Sequence, residues 1–257
     1  VKLCRFEVLD GDGAARSGIY HESRLYETEG TNPIGVHDLS NVKFLCPIAR
    51  PPVMREMLHE PDSDRLLYFY RNPSTLYGPA AAVFLPQGTN SVILQPQLAI
   101  VIKDTERYIS REAAASVILG YTMVVTIYDP HLRSQEEAIG IGPGASSDFG
   151  AATAPFLVTP EELPLAPSPD ETDIILSVPL TSKKNDEAFG SIPLGDEGAS
   201  PYASIERCSR DVTLQFGETL LLGHPPEGLE AHIGDSVQYQ ASPFGAITIQ
   251  LLPSEFE

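Results

Sequence analysis

Apolar positions along this chain fall in short runs separated by turn residues, the spacing of strands more than of helices. The strongest run is 91–103, SVILQPQLAIVIK, with Val92, Ile93, Leu94, Leu98, Ala99, Ile100, Val101 and Ile102. It is rich in β-branched residues and too short for a buried helix, so it predicts a core strand, broken at Pro96. Within it Gln95 and Gln97 stand two apart, and the period of a strand puts both amides on one face. Two polar groups on one face of an apolar strand line a pocket or join a buried hydrogen-bond network. The alternative is an edge strand wetted on one side.

The rest of the chain follows the same rhythm. Residues 1–36 predict two or three short strands, KLCRFEVL and SGIYHESRLYE joined by the turn sequence DGDG. Gly, Asn and Pro crowd 30–38, which predicts a linker between a small N-terminal β-region, 1–40, and a larger domain, 41–257. KFLCPI opens that domain as a short strand. In ARPPVMREM, Pro51 and Pro52 suit the start of a helix, which would carry Glu56. LLYFYRNPSTLYG at 66–78 is an apolar strand with a Pro-Ser-Thr turn. REAAASVILGYT begins as a short alanine-rich helix, and MVVTIYDPHL continues as a strand. Residues 134–147 predict a flexible glycine-containing loop, with no lysine beside it to suggest phosphate binding. Residues 163–172 form a Pro-rich surface loop, 173–179 a strand, and 181–201 a polar, mobile segment.

Composition adjusts this picture only slightly. Pro at 23 and Gly at 20 suit many strands and turns. The net charge of −18 argues against nucleic acid or anionic membrane as a partner, since both demand clustered lysine and arginine. Cys4, Cys46 and Cys208 are odd in number and far apart, so no disulfide framework or metal spacing follows. A reducing cytoplasm fits, with no signal segment and no run long enough to span a bilayer.

Several motifs together carry a family resemblance. Gln95, Pro96, Gln97, Leu98 and Ala99 stand in a Glu-x-Glu-Leu-Ala pattern; Pro73, Ser74, Thr75 and Tyr77 stand in Phe-x-Lys-Pro-x-x-x-aromatic. Gly120, Tyr121 and Thr122, then Phe156, Leu157, Val158 and Thr159, keep two further blocks. The C-terminal block is kept at Ala203, Ser204, Ile205, Leu214, Gly217, Glu218, Gly223, Pro225, Gly228, Gly234 and Asp235. Over most of its length the chain resembles the fumarylacetoacetate hydrolase superfamily. The resemblance implies a mixed, β-rich α+β fold with a β-roll or barrel-like core and short helices, and a homodimer. It also implies a Mg²⁺ or Mn²⁺ ion held by three carboxylates, which stabilises the enolate left when a C–C bond breaks.

The chain departs from that pattern where the chemistry lies. Gln95 and Gln97 replace two of the carboxylates, and Thr126 stands where the third belongs. Val53 takes the place of a catalytic histidine and Glu56 that of its partner. Asn72 replaces a lysine, Ala145 another, Pro130 an arginine, and His224 an active-site threonine. Hard divalent ions need anionic oxygen, so neither a metal nor any other cofactor is expected. An amide keeps the volume of the acid and adds two N–H donors. The expected site therefore handles a small-molecule substrate without metal. Gln95, Gln97, Thr126, Asn72, Ser74, Thr75 and Asp148 would bind it, and Tyr77, His224 or Glu56 would move a proton. A cyclase, isomerase or lyase acting on a polyketone-like or unsaturated metabolite fits best. Two alternatives stand beside it. One is a non-catalytic binder or partner protein. The other is a hydrolase or decarboxylase whose metal is held by displaced ligands among Asp129, His131, Asp148 and Glu56.

Overall fold

The computed structural model describes residues 1–58, 67–168, 171–195, 200–222 and 228–254. Among them strands dominate, with two α-helices, Pro130–Ala138 and Pro201–Asp211. The centre of a fourteen-stranded mixed sheet is Ser91–Ile102 paired antiparallel with Ile118–Tyr128. The other edge of Ser91–Ile102 has two partners: Leu229–His232 along Ser91 to Leu94, and Thr219–Leu221 along Ala99 to Val101. Pro96 falls in the gap between them. No ladder there requires the N–H that proline lacks, so the strand runs through Pro96 unbroken, contrary to expectation.

Thr219–Leu221 passes the sheet on to Met54–Leu58, parallel to it, and then to the edge strand Leu67–Arg71. At the far end Lys2–Val8, Arg16–His21, Arg24–Glu29 and Asn32–His37 form a meander. Lys2–Val8 also pairs with Leu157–Val158 and Val42–Leu45. The first forty residues are thus hydrogen-bonded into the large sheet, and Phe6 and Leu25 lie in the common core.

A second sheet of five strands runs Glu187–Leu194, Val178–Lys184, Ser236–Ala241, Gly245–Leu252 and Ala80–Phe84. Its Val237, Ile247, Ile249 and Leu251 share one core cluster with Leu94, Leu98, Ile100, Met123, Val125 and Ile127 of the large sheet. Each such side chain contributes on the order of 1.5–3 kcal/mol of burial. The opposite face of the large sheet carries a smaller cluster of Met54, Ala99, Val124, Ala151 and Leu221. The candidate site lies on that second face.

Several local expectations are corrected. Residues 54–58 are a strand, because they complete the ladder between Thr219–Leu221 and Leu67–Arg71; Pro51 and Pro52 precede an extended segment. The alanine-rich stretch is a single 3-10 turn, Ala114–Val117, without a side-chain cap, and Ile118 turns at once into strand. The strand Ile118–Tyr128 stops before Asp129, whose side chain caps helix Pro130–Ala138 through the amides of His131 and Leu132, with proline at the first turn. Part of the predicted flexible loop is therefore helix. The predicted linker at 30–38 is mostly strand Asn32–His37. The segment expected to be mobile contains a hairpin turned at Asn185 and Asp186, both at positive φ as a tight hairpin turn demands. Among the described residues no helix is long and apolar enough to cross a membrane.

Candidate functional site

Gln95, Gln97 and Thr126 share a face, since Gln95 lies opposite Thr126 in the antiparallel register. Gln97 is buried at 1% exposure and Thr126 at 0%. Gln97 Nε2 donates to Glu56 Oε1 at 2.8 Å and to Thr126 Oγ1 at 3.2 Å. Thr126 Oγ1 in turn donates to the Gln95 carbonyl at 3.3 Å. Glu56 Oε2 accepts from Arg71 Nε at 2.6 Å. Arg71 Nη1 reaches the carbonyls of Ile127 at 3.4 Å and Ser147 at 3.3 Å. The result is one buried chain of contacts from Arg71 through Glu56 and Gln97 to Thr126.

Gln95 is half-buried, with Cγ against Gly228. A Cβ at position 228 would come within 2.9 Å of that carbon and 2.2 Å of Ile93 Cγ2. Only glycine lets the two backbones approach this closely. On the reverse side of the same strand, Pro96 lines a cavity of ≈ 570 Å³ together with Lys184, Phe189, Leu229, His232 and Tyr239. Successive side chains of a strand point oppositely, so Gln97 lies across the strand from this cavity, while Gly228 both lines the cavity and packs against Gln95.

The other expected residues are dispersed. Tyr77 sits in the two-residue strand Leu76–Tyr77, parallel to Ala151 and Ala152. Leu76 packs with the cluster on the site face, whereas Tyr77 packs against the main core, so Tyr77 does not face Gln97. Asn72 accepts from the Ser74 amide at 2.9 Å and its carbonyl from Thr75 Oγ1 at 3.2 Å. These groups build the turn Pro73–Thr75. Ser74 and Asp148 are exposed. His224 lies outside the described residues. Glu56 reaches the site from a strand, where a helix was expected.

The sequence reading missed Arg71, Phe69, Tyr128 and Arg133. Phe69 lies opposite Glu56 and Arg71 opposite Met54, which puts both on the site face. The Arg71 guanidinium lies 5.2 Å from the Phe69 ring centroid, and Arg133 of helix Pro130–Ala138 lies 5.4 Å from the same ring and 5.0 Å from Tyr128. Burial raises the Tyr128 hydroxyl above its usual range, partly countered by Arg133 and Arg71. The available signal was the alternation in YFYRNP, which sets Phe69 and Arg71 two apart beside Asn72. Burial also pushes the Cys4 and Cys208 thiols up to about 12 and Cys46 up to about 11, so none is a ready thiolate.

The residues present do not fit the divalent ion that the family resemblance implies. Gln95, Gln97 and Thr126 carry no charge. The amide of Gln97 turns N–H donors toward Glu56 and Thr126, the wrong polarity for a cation. The one carboxylate, Glu56, is already bound by a guanidinium. Displaced ligands fare no better. Asp129 Oδ1 caps a helix and Oδ2 accepts from Thr89 Oγ1 at 2.7 Å. Among the described residues no three of His, Cys, Asp or Glu gather into a possible metal site.

Fold and site together define a β-roll scaffold with a buried polar network on the outer face of its central strand pair. The sequence profile described as fumarylacetoacetate (FAA) hydrolase C-terminal matches residues 50–251, and the chain belongs to that family. An uncharacterized protein of Pyrococcus abyssi is 25% identical over 208 residues, 78% of this chain and 85% of its own. A 2,4-didehydro-3-deoxy-L-rhamnonate hydrolase of a Sphingomonas species is 26% identical over 160 residues, 62% of this chain and 53% of its own. The crystal structure of a 5-carboxymethyl-2-hydroxymuconate delta-isomerase from Mycobacterium smegmatis has the same fold, with a TM-score of 0.79 over 99% of both chains at 21% identity. Hydrolases and isomerases are thus both built on this scaffold.

Proposed function

We propose that this chain is a metal-independent enzyme, a cyclase, isomerase or lyase, acting on a polyketone-like or unsaturated small molecule in specialised-metabolite biosynthesis. The observation that carries the reading is the bond from Gln97 Nε2 to Glu56 Oε1. A side chain expected to grip a cation here donates a hydrogen bond instead, and a buried Arg71–Glu56 pair supplies the fixed charges. Preorganised donors of this kind orient a flexible substrate and stabilise charge on its oxygens without an ion. Gln95, Gln97 and Thr126 supply the polar face.

The test is turnover of a panel of 1,3-diketones and unsaturated acids by the purified protein, with products read by mass spectrometry. Turnover should survive exhaustive chelation and fall in Gln97→Leu. Activity that vanishes on chelation and returns with Mn²⁺ would sink the reading. Metabolites accumulating in a strain that lacks the gene would name the substrate. A homodimer in the cytoplasm completes the proposal; sedimentation of the purified protein as a monomer would remove the first half of that statement.

A second reading, a non-catalytic binder or partner of an active relative, draws on two observations. Both oxygens of Glu56 are occupied, and Tyr77 packs against the main core, away from Gln97. Site-face alanine variants with undiminished pathway output would favour it.

A further inference from the structure

In Val178–Lys184 of the second sheet the core-facing positions are Val178, Leu180, Ser182 and Lys184, each two after the last. The register bears this out, since Ser182 lies opposite Tyr239 and Lys184 opposite Val237, both members of the core. Apolar residues thus give way to a hydroxyl and an ammonium at one end of the row, and there the cavity of ≈ 570 Å³ opens between the sheets. That volume suits a small molecule. Pro96 and Leu229 line it from the large sheet, Tyr239, Ser182 and Lys184 from the second. Tyr239 is 2% exposed and donates its hydroxyl to the Leu94 carbonyl at 3.3 Å, so it offers the cavity its ring.

Two features at the mouth point to a ligand. The hairpin register pairs Ser182 with Gly190 and Lys183 with Ala188, which leaves Phe189 as the extra residue of a β-bulge, with Gly190 at φ +139°. A bulge re-aims a side chain. Here it sets the Phe189 ring, still 60% exposed, against the cavity and 5.8 Å from Lys184 Nζ. The second feature is the Lys184 ammonium itself, with three N–H donors. It donates to the Glu230 carbonyl at 3.3 Å. The one carboxylate oxygen within 4.0 Å among the described residues, Asp235 Oδ2, already accepts from the His232 amide at 2.9 Å. A half-buried cation thus stands at the end of an apolar cavity without a close counter-charge.

We propose that this cavity binds a medium-chain monocarboxylate. Its apolar chain lies between the sheets on Pro96, Leu229 and Tyr239, and its carboxylate accepts from Lys184 Nζ and Ser182 Oγ beside the Phe189 ring. A cationic head would meet Lys184, and an uncharged head would leave the ammonium without a counter-charge. Glu230 and His232 stand at the rim with side chains 58% and 59% exposed, so water screens the one acidic side chain that lines the cavity. Gln97 lies across the strand, and the site does not depend on the proposed reaction.

Octanoate, 1-octanol and octyltrimethylammonium share a tail and differ in the charge of the head. Each is titrated into the intact protein by calorimetry, below its micellar range. Saturable binding of octanoate is expected, with octanol weaker by about tenfold or more and the cation weaker still. Lys184→Met should bring octanoate down to the affinity of octanol and leave octanol unchanged. Should that variant fail to fold, Phe189→Ala, at an exposed position, should weaken octanoate and octanol alike by about threefold or more. Gln97→Leu should bind octanoate as the wild type does. Absence of saturable octanoate binding overturns the proposal, as does octanol or the cation binding as tightly as octanoate. So does octanoate affinity that is unchanged in Lys184→Met or in Phe189→Ala. Binding lost in Gln97→Leu and kept in Lys184→Met would place the ligand on the other face of the strand, and the proposal would fall with it.

Discussion

Arg55 and Glu56 are neighbours on one strand, so they point to opposite faces of the sheet, and each makes a buried ion pair. On the core side Arg55 pairs with Glu218, whose other oxygen accepts from the Gln215 amide at 3.1 Å. Its guanidinium is covered by the rings of Tyr68 and Tyr70, at 5.4 and 5.6 Å. On the outer side Glu56 pairs with Arg71, and there the contacts continue into Gln97 and Thr126. Both faces keep buried polar atoms without a hydrogen-bond partner among the described residues, Arg55 Nε on one and Arg71 Nη2 and Gln97 Oε1 on the other. The first pair is a clasp between Met54–Leu58 and the segment leading into Thr219–Leu221. The second is part of a longer network that runs on into the central strand pair. A buried ion pair is therefore poor evidence of purpose by itself; what its remaining valences meet is the informative part.

The largest expected effect breaks the clasp. Arg55→Met leaves Glu218, at 0% exposure, without its cation, and should cost about 3–5 kcal/mol in urea unfolding. Adding Glu218→Leu should recover most of that loss, since apolar groups replace a buried pair well, with only the Gln215 amide losing its acceptor. The same double replacement on the outer face, Arg71→Met with Glu56→Leu, should recover less. Gln97 Nε2 would keep only Thr126, and the freed carbonyls of Ile127 and Ser147 would stay buried. A residual deficit of roughly 1–3 kcal/mol is expected. Equal recovery in the two doubles would erase the distinction between clasp and network.

The two faces also differ in how far they could be read from the chain. The central strand was legible because β-branched residues and period-two spacing act locally, whereas Thr126 was placed with the two amides by the family resemblance, and the register that sets it opposite Gln95 comes from the structure. Arg71 was not legible. Its importance comes from Met54–Leu58 lying next to Leu67–Arg71, and Pro51 and Pro52 made the former resemble a helix start. Tyr77 was misassigned because a two-residue strand has no periodicity from which to set its facing; its neighbours Ala151 and Ala152 set it from far along the chain. Asp129 and Pro130 carried a plain helix-start signal that the apolar run before them obscured.

The smallest expected effect concerns the loop that buttresses the outer pair alone. Glu136 accepts from the Ser146 amide at 3.1 Å, the Ser146 hydroxyl at 2.5 Å and the Gly144 amide at 3.1 Å. The neighbouring Ser147 carbonyl accepts from Arg71 Nη1. Burial pushes the Glu136 carboxyl upward, but the Ser146 hydroxyl and the amides outweigh it, and its folded value lies below the ordinary glutamate value. A depressed acid stabilises the fold above its unfolded pKa and loses that contribution as pH falls through its folded pKa. Glu136→Gln should therefore cost about 1 kcal/mol near neutrality, and the gap to wild type should close as the solution is acidified. Amide exchange should quicken at 144–147 and stay unchanged around Glu218, because only the outer network leans on this loop. A deficit independent of pH, or faster exchange at both pairs, would show that the two faces are coupled through the strand they share.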